Sequence, residues 1–232
     1  MIKIYNVRPL TFQARIRNGD TIAALNYLQY LRKQENNPEI KFHIPNESIF
    51  DSQYCFDFHD WLRNNTDMIS LELGEYELEN NIPLWTQRTE IEEVIRIENP
   101  QKMKPKICIF PLFDAPYHAH RNWPMQIANQ IILQYSVPEF AHYEKFICSN
   151  QVYDGLELNG FVYSHDFTEN LNHILECHHY VGGETGLSLF VSALDNPLRE
   201  LHYFYSQNGH KAHNYDVTPF HAKAGKGTIY YY

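Results

Sequence analysis

Twice along the chain a short apolar run gives way to a helical pattern and then to a second apolar run. That alternation commits a polypeptide to parallel β-sheet with helices laid against it. Ile2 to Val7 is the first such run; a polar stretch and a helical pattern from Thr21 to Lys33 follow, and Ile40 to Ile44, closed by Pro45, completes a β-α-β unit. Ala24, Leu25, Leu28 and Leu31 form the inner stripe of that helix, with Gln29, Arg32 and Lys33 facing away. Phe56 to Asn64 and Ile69 to Leu73 predict a further helix and strand, and Ile91 to Ile97 alternates as a strand does. Asn99 to Pro105, with two prolines, predicts a linker and divides the chain into domains 1–100 and 101–232.

The second half opens with Lys106 to Phe110, a strand of the buried parallel kind. A helix is expected from Trp123-Pro124, since proline suits a first helical position, and Ile127, Ile131 and Tyr135 mark its inner face. Phe146 to Cys148 predicts a strand, Thr168 a cap for a helix carrying Leu171, Ile174 and Leu175, and His179 to Val181 a brief strand running into Gly182-Gly183. A helix with Leu187, Phe190, Val191 and Leu194 on one face follows, and Leu198 to Tyr205 reads as the last strand. The fold expected is α/β, with ligand crevices at the carboxyl ends of the strands.

With 44% hydrophobic and 15% aromatic residues among 232, the chain has the material for one or two cores, which excludes wholesale disorder. A formal charge of −9 argues against broad adhesion to nucleic acid or anionic lipid, which are held through Lys and Arg. The basic residues Arg15, Arg17, Lys102, Lys104, Lys106, Lys211, Lys223 and Lys226 read as a solvated surface. Cys55, Cys108, Cys148 and Cys177 are far apart in apolar contexts and read as buried, reduced thiols. Met1 to Tyr5 lacks the apolar run of a signal peptide, and no stretch approaches the roughly 18 apolar residues of a membrane span. The expectation is a cytoplasmic protein with no membrane span. Thirteen histidines, among them His118, His120 and the pair His178-His179, have no Asp, Glu or Cys partners at known ligand offsets, so no metal is expected.

The segment richest in chemistry is HYVGGETGLSLFVSALDNPLRELHYFY, His179 to Tyr205. A strand that ends in two glycines and turns at once into a helix leaves the backbone N–H groups of Glu184 to Leu187 pointing into a crevice. Such a helix end favours an anion by about 0.3–1 kcal/mol through its dipole alone, and a diphosphate fits there. Thr185 adds a hydroxyl or caps the helix, and Gly182, Gly183 and Gly186 permit close backbone approach. The same turn is also ordinary α/β construction.

This segment resembles the D-T-G-x-x-H-x-A-x-A-L element of the ADP-heptose:lipopolysaccharide heptosyltransferase family. KICIFPLFDAPYHAHRNWPMQIANQIILQY, Lys106 to Tyr135, is similar to the strand, loop and basic-Trp-Pro helix that open that family's C-terminal domain. IRNGDTIAALNYLQYLRKQ, Ile16 to Gln34, is similar to its N-terminal G-D helix start. The three occur in the family's order; the middle of each half is not covered. The resemblance implies a shortened, or reduced, GT-B glycosyltransferase: two Rossmann-like domains facing each other across a cleft. It implies inverting, metal-independent transfer of a sugar from a nucleotide-diphosphate donor to a hydroxyl acceptor, with no cofactor beyond that co-substrate.

By the same resemblance Asp20 is the general base that takes the acceptor's proton, although an Asp there also suits a helix cap. Arg17, Gly19, Gly183 and Ser188 fall among the substrate-binding positions, Glu184 bonds to sugar hydroxyls or orients the donor, and Thr185 and Gly186 match the diphosphate-binding backbone. Arg121 neutralises the phosphate that leaves with the nucleotide, the usual substitute for a metal, whereas Trp123 reads as core. The sequence departs from the family pattern where Leu189 replaces its His, where Gln13 to Asn18 replaces its glycine-rich loop, and in its shorter chain. The acceptor expected is a saccharide or lipid-linked glycan. The alternatives are a hydroxymethylated base in DNA, as for compact phage transferases, and a non-catalytic module that binds a nucleotide or glycan.

Overall fold

The computed structural model describes residues 1–6, 18–44, 53–77, 95–113, 119–149, 151–196, 199–207 and 227–232. The chain divides into two compact units, Met1–Asn99 with Ala193–Asp195 and Pro100–Ser192 with Asn196–Tyr232.

In the first unit β1 (Lys3–Asn6), α1 (Asn18–Gln34), β2 (Ile40–His43), α2 (Gln53–Asn65), β3 (Ile69–Ser70) and β4 (Tyr76–Glu77) follow one another. The four strands form a parallel sheet in the order β3-β2-β1-β4. Residues 91–94 of the expected strand lie outside the described residues; β5 is only Ile97–Glu98, which pairs with Leu194–Asp195 (β10). α1 begins at Asn18, so Asp20 sits inside its first turn and not at a cap before Thr21. Its first half is buried all round from Thr21 to Asn26, because it packs on both β2 and α2. Ile22, Leu25 and Leu28 join Ile40, Phe42, Phe58 and Leu62 among the fully buried residues, each worth about 1.5–3 kcal/mol of hydrophobic stabilisation. Arg32, read from sequence as facing away, folds back instead: its Nε donates to the Ile40 carbonyl at 2.8 Å and its guanidinium meets Asp67 at 3.1 Å. Asn6 clasps Gly74 with two 2.8 Å hydrogen bonds, drawing that residue so close to the Ile4 carbonyl that a Cβ would overlap it.

The second unit contains β6 (Lys104–Phe110), α3 (Met125–Gln134), β7 (Glu144–Cys148), β8 (Val162–Ser164), α4 (Phe167–Glu176), β9 (Cys177–Gly182), α5 (Gly186–Ala193, whose last residue belongs to the first unit), β11 (Glu200–Tyr205) and β12 (Thr228–Tyr231). Six of these are strands of one all-parallel sheet in the order β12-β11-β9-β6-β7-β8. Numbered by their succession in this unit, the strands run 3-2-1-4-5-6 from the β8 edge. From β6 the chain winds outward through β7 to β8, then returns to β9 and winds the other way. The reversal between β6 and β9 is a topological switch point, the place beyond the carboxyl ends of the strands where open α/β sheets bind ligands.

Local chemistry explains where these elements depart from expectation. β6 starts at Lys104, inside the expected linker, and Pro105 has no N–H to give the ladder; the register with β9 slips between Lys104 and Ile107. Pro124 is the N-cap of α3 and not its first residue. Asp166, not Thr168, caps α4, its carboxylate accepting from the Glu169 N–H at 2.8 Å. Leu194 leaves α5 to begin β10, and β12 follows β11, so the strand ending at Tyr205 is not the last.

On one face of the sheet Ile107, Ile109, Ile147 and Val181 lie in a single core cluster with Ala128, Ile131 and Ile132 of α3, Trp123 and Phe161. The alternate residues Cys108, Tyr180, Tyr203 and Tyr205 are buried too, and α4 packs on β6 and β9. Cys108, Cys148 and Cys177 are buried free thiols. Among the described residues no helix is long and apolar enough to cross a membrane.

Candidate anion-binding crevice at the switch point

Beyond the carboxyl end of β9 the chain turns through Gly183 and Glu184, both buried, into Thr185, Gly186 and Leu187, which are half-buried. Thr185 caps α5: its Oγ1 accepts from the Ser188 N–H at 3.3 Å, and its carbonyl accepts the first helical bond from Leu189. Among the described residues no group accepts from the N–H groups of Gly186 and Leu187. Two donors at a partly exposed helix start, at the switch point of a parallel sheet, are the chemical requirement for holding an anion.

The opposite wall comes from the end of β6. The backbone N–H of Trp123 donates to the Leu112 carbonyl at 2.6 Å, and the indole lies against Gly183. A Cβ on Gly183 would lie 3.0 Å from Trp123 Nε1 and 3.5 Å from Leu112 Cβ, and one on Gly182 would lie 2.5 Å from the Tyr180 hydroxyl. Two of the glycines expected to admit a ligand are therefore required first by aromatic neighbours. Trp123 is core, as its sequence context suggested: it is buried and meets Phe204 edge-on at 5.7 Å.

Arg121 and Glu184, each expected to face the ligand, face one another. Arg121 closes a short 3-10 turn, Ala119–Arg121, and its guanidinium lies 3.2 Å from Glu184 Oε1 while donating to the Glu184 carbonyl at 3.3 Å. The Tyr232 hydroxyl donates to the carbonyls of Arg121 and Asn122, at 3.1 and 3.3 Å, and so fastens the end of the chain to this turn. Burial, and then the nearby Glu184 charge, raise the Tyr232 phenol above its ordinary range and keep it a donor. An incoming phosphate would compete with Glu184 for the guanidinium.

Ser188 is a correction to the expected binding set. It is wholly buried, and its hydroxyl donates to the Gly183 carbonyl at 2.6 Å with the Tyr180 hydroxyl at 3.0 Å and Thr185 Oγ1 at 3.4 Å. A hydroxyl shared among three protein oxygens and closed to solvent braces the turn and has no capacity left for substrate. Tyr180 is raised far above an ordinary phenol by its burial, so this network stays neutral. Ser192 extends it, donating to the Ser188 carbonyl at 2.9 Å and meeting the Tyr203 hydroxyl at 2.5 Å.

In the first unit Gly19 is the half-buried second residue of α1 and Asp20 the third. The side chain of Asp20 and the whole of Arg17 lie outside the described residues. A polar contact that the sequence did not suggest lies beside them: Thr21 Oγ1 meets His59 Nε2 at 2.6 Å in a buried setting, joining α1 to α2 across 38 positions.

No protein-family model, curated protein or solved structure matches the chain.

Proposed function

We propose that the chain is a glycosyltransferase of reduced GT-B type: two Rossmann-like domains facing each other across a cleft, the second holding a nucleotide-diphosphate sugar at the switch point. The observation that carries this reading is the coincidence, in one place, of the 3-2-1-4-5-6 reversal between β6 and β9 with the half-buried helix start at Gly186 and Leu187. The first unit's order, β3-β2-β1-β4, begins with the same winding. In the proposed mechanism the diphosphate takes its bonds from the α5 start and draws Arg121 from Glu184. Arg121 then offsets the charge that grows on the leaving phosphate, so transfer needs no metal. Asp20 accepts the proton of the attacking hydroxyl.

A second reading, a non-catalytic nucleotide-binding module, is favoured by one observation: the Arg121 charge is already matched by Glu184 in the resting protein. The deciding experiment measures transfer from a panel of nucleotide sugars to saccharide, lipid-linked and hydroxymethylated-DNA acceptors. The transferase reading expects Asp20→Asn to lower turnover by roughly 10²–10⁴-fold with donor affinity nearly unchanged. Donor binding with no turnover to any acceptor class supports the module instead.

A further inference from the structure

We propose that His179, Glu200 and His202 form a binding site for a divalent transition-metal ion, zinc by ligand type, with the fourth position left to water. The site lies on the α3 face of the second unit's sheet and stands independently of the transferase reading. In the sequence no Asp, Glu or Cys stands at a known ligand offset from His179, and Glu200 and His202 lie more than twenty positions beyond it. The parallel ladder removes that separation: His179 of β9 pairs with Glu200 of β11, and His202, two residues on, returns to the same face.

The three side chains converge on one point. Glu200 Oε2 lies 3.3 Å from His179 Nδ1 and 3.7 Å from His202 Nε2, and one ligand atom from each residue lies within 4.8 Å of the others. Four-coordinate zinc with bonds of about 2.0–2.2 Å sets adjacent ligand atoms roughly 3.3–3.6 Å apart, so a bound ion would draw in ligand atoms that here span up to 4.8 Å. Both histidine nitrogens are closed to solvent, and neither makes a properly directed hydrogen bond among the described residues. Both atoms converge on the same carboxylate oxygen.

The surroundings supply what a metal site needs beyond its ligands. The Tyr230 hydroxyl lies 3.4 Å from His202 Nδ1, which turns Nε2 toward Glu200. His179 is fixed by the rings of Tyr135, Phe140 and Tyr143, whose centroids are 5.1–5.8 Å away. The carboxylate is the most exposed of the three, giving the ion a way in. His179 precedes Gly182 by three residues, about 10 Å along the strand, so the ion would cross-link β9 to β11 away from the crevice.

The test is titration of the chelator-treated full chain with cobalt(II) and zinc(II), read by visible absorption and melting temperature. The proposal expects one equivalent of cobalt with the intense visible bands of four-coordination, displaced by zinc, and a higher melting temperature. Glu200→Gln and His202→Asn should each lower affinity by about tenfold or more, whereas His142→Asn should not. Glu200 is exposed, so its variant keeps the fold, and circular dichroism of the metal-free protein checks that. Absence of stoichiometric binding at micromolar metal, or binding that Glu200→Gln and His202→Asn leave unchanged, overturns the proposal.

Discussion

Arg121 and Glu184 form an ion pair at the switch point, 3.2 Å between guanidinium and carboxylate, with side chains only 12% and 4% exposed. Removing one member of a shielded pair strands the other, at a cost of about 3–5 kcal/mol in buried cases; the partial exposure of Arg121 places this pair at the lower end. Glu184→Gln should therefore lower the urea midpoint while releasing Arg121 toward an anion. The account expects nucleotide-diphosphate affinity to rise by roughly tenfold, the worth of one charge-assisted hydrogen bond. Calorimetric titration of the variant checks it, and an unchanged affinity would mean that Arg121 does not meet the phosphate.

Ser188 and Thr185 separate structural from ligand roles within one turn. Ser188→Ala strips the Gly183 carbonyl and Tyr180 hydroxyl of a buried partner and should cost about 1–3 kcal/mol of stability with little change in ligand affinity. Thr185→Ala removes only a half-exposed cap, at about 0.5–2 kcal/mol, but alters the rim of the anion site. Parallel denaturation and binding curves for the two variants check the division. Equal effects on binding would contradict it.

The contrast between these residues shows what the sequence could carry. The apolar runs that became β6 and β9, and the Gly-Gly turn into α5, were legible because burial on both faces and a turn leave local marks. β8 was not: it has three residues and Val162 is exposed. The cap of α4 was misplaced by two positions because Asp166 and Thr168 carry equivalent signals, and only the 2.8 Å bond to Glu169 chooses between them. The pairing of Arg121 with Glu184 and the convergence of His179 with Glu200 and His202 depend on strand order and register, which no local pattern encodes.

Lys106 is buried beneath α4, 2.7 Å from Glu176, and Glu176 also holds the more exposed Lys104 at 2.6 Å. The partners are therefore unequal. Glu176→Gln leaves Lys106 with no carboxylate nearer than Glu144 at 3.8 Å, beside the His173 ring nitrogen at 3.4 Å, and should cost about 3 kcal/mol or more, whereas Lys106→Met leaves Glu176 still paired and should cost less than half as much. Urea unfolding at pH 7 checks the order of the two variants.

Acid should destabilise the protein before its carboxylates titrate. His173, His179 and His202 all have folded pKa values below the ordinary 6.5, chiefly through burial, with Lys106 adding to the effect at His173. Because the folded values are depressed, the unfolded chain binds more protons below pH 6.5. Stability is therefore full above that pH and falls as pH drops from about 6.5 toward the folded values. In chelator-treated protein the urea midpoint should be lower at pH 5.5 than at pH 7.5, and His179→Gln should flatten the slope.

The claim on which the functional reading turns is that the start of α5 grips a diphosphate. The direct measurement follows the backbone amide resonances of Gly186 and Leu187 by nuclear magnetic resonance during titration with a nucleotide diphosphate and its sugar conjugates. The account predicts that both shift with saturation while those of Gly155 and Gly160, in the loop between β7 and β8, stay in place. Saturable binding that leaves Gly186 and Leu187 unmoved, or no binding by any member of the series, would contradict it.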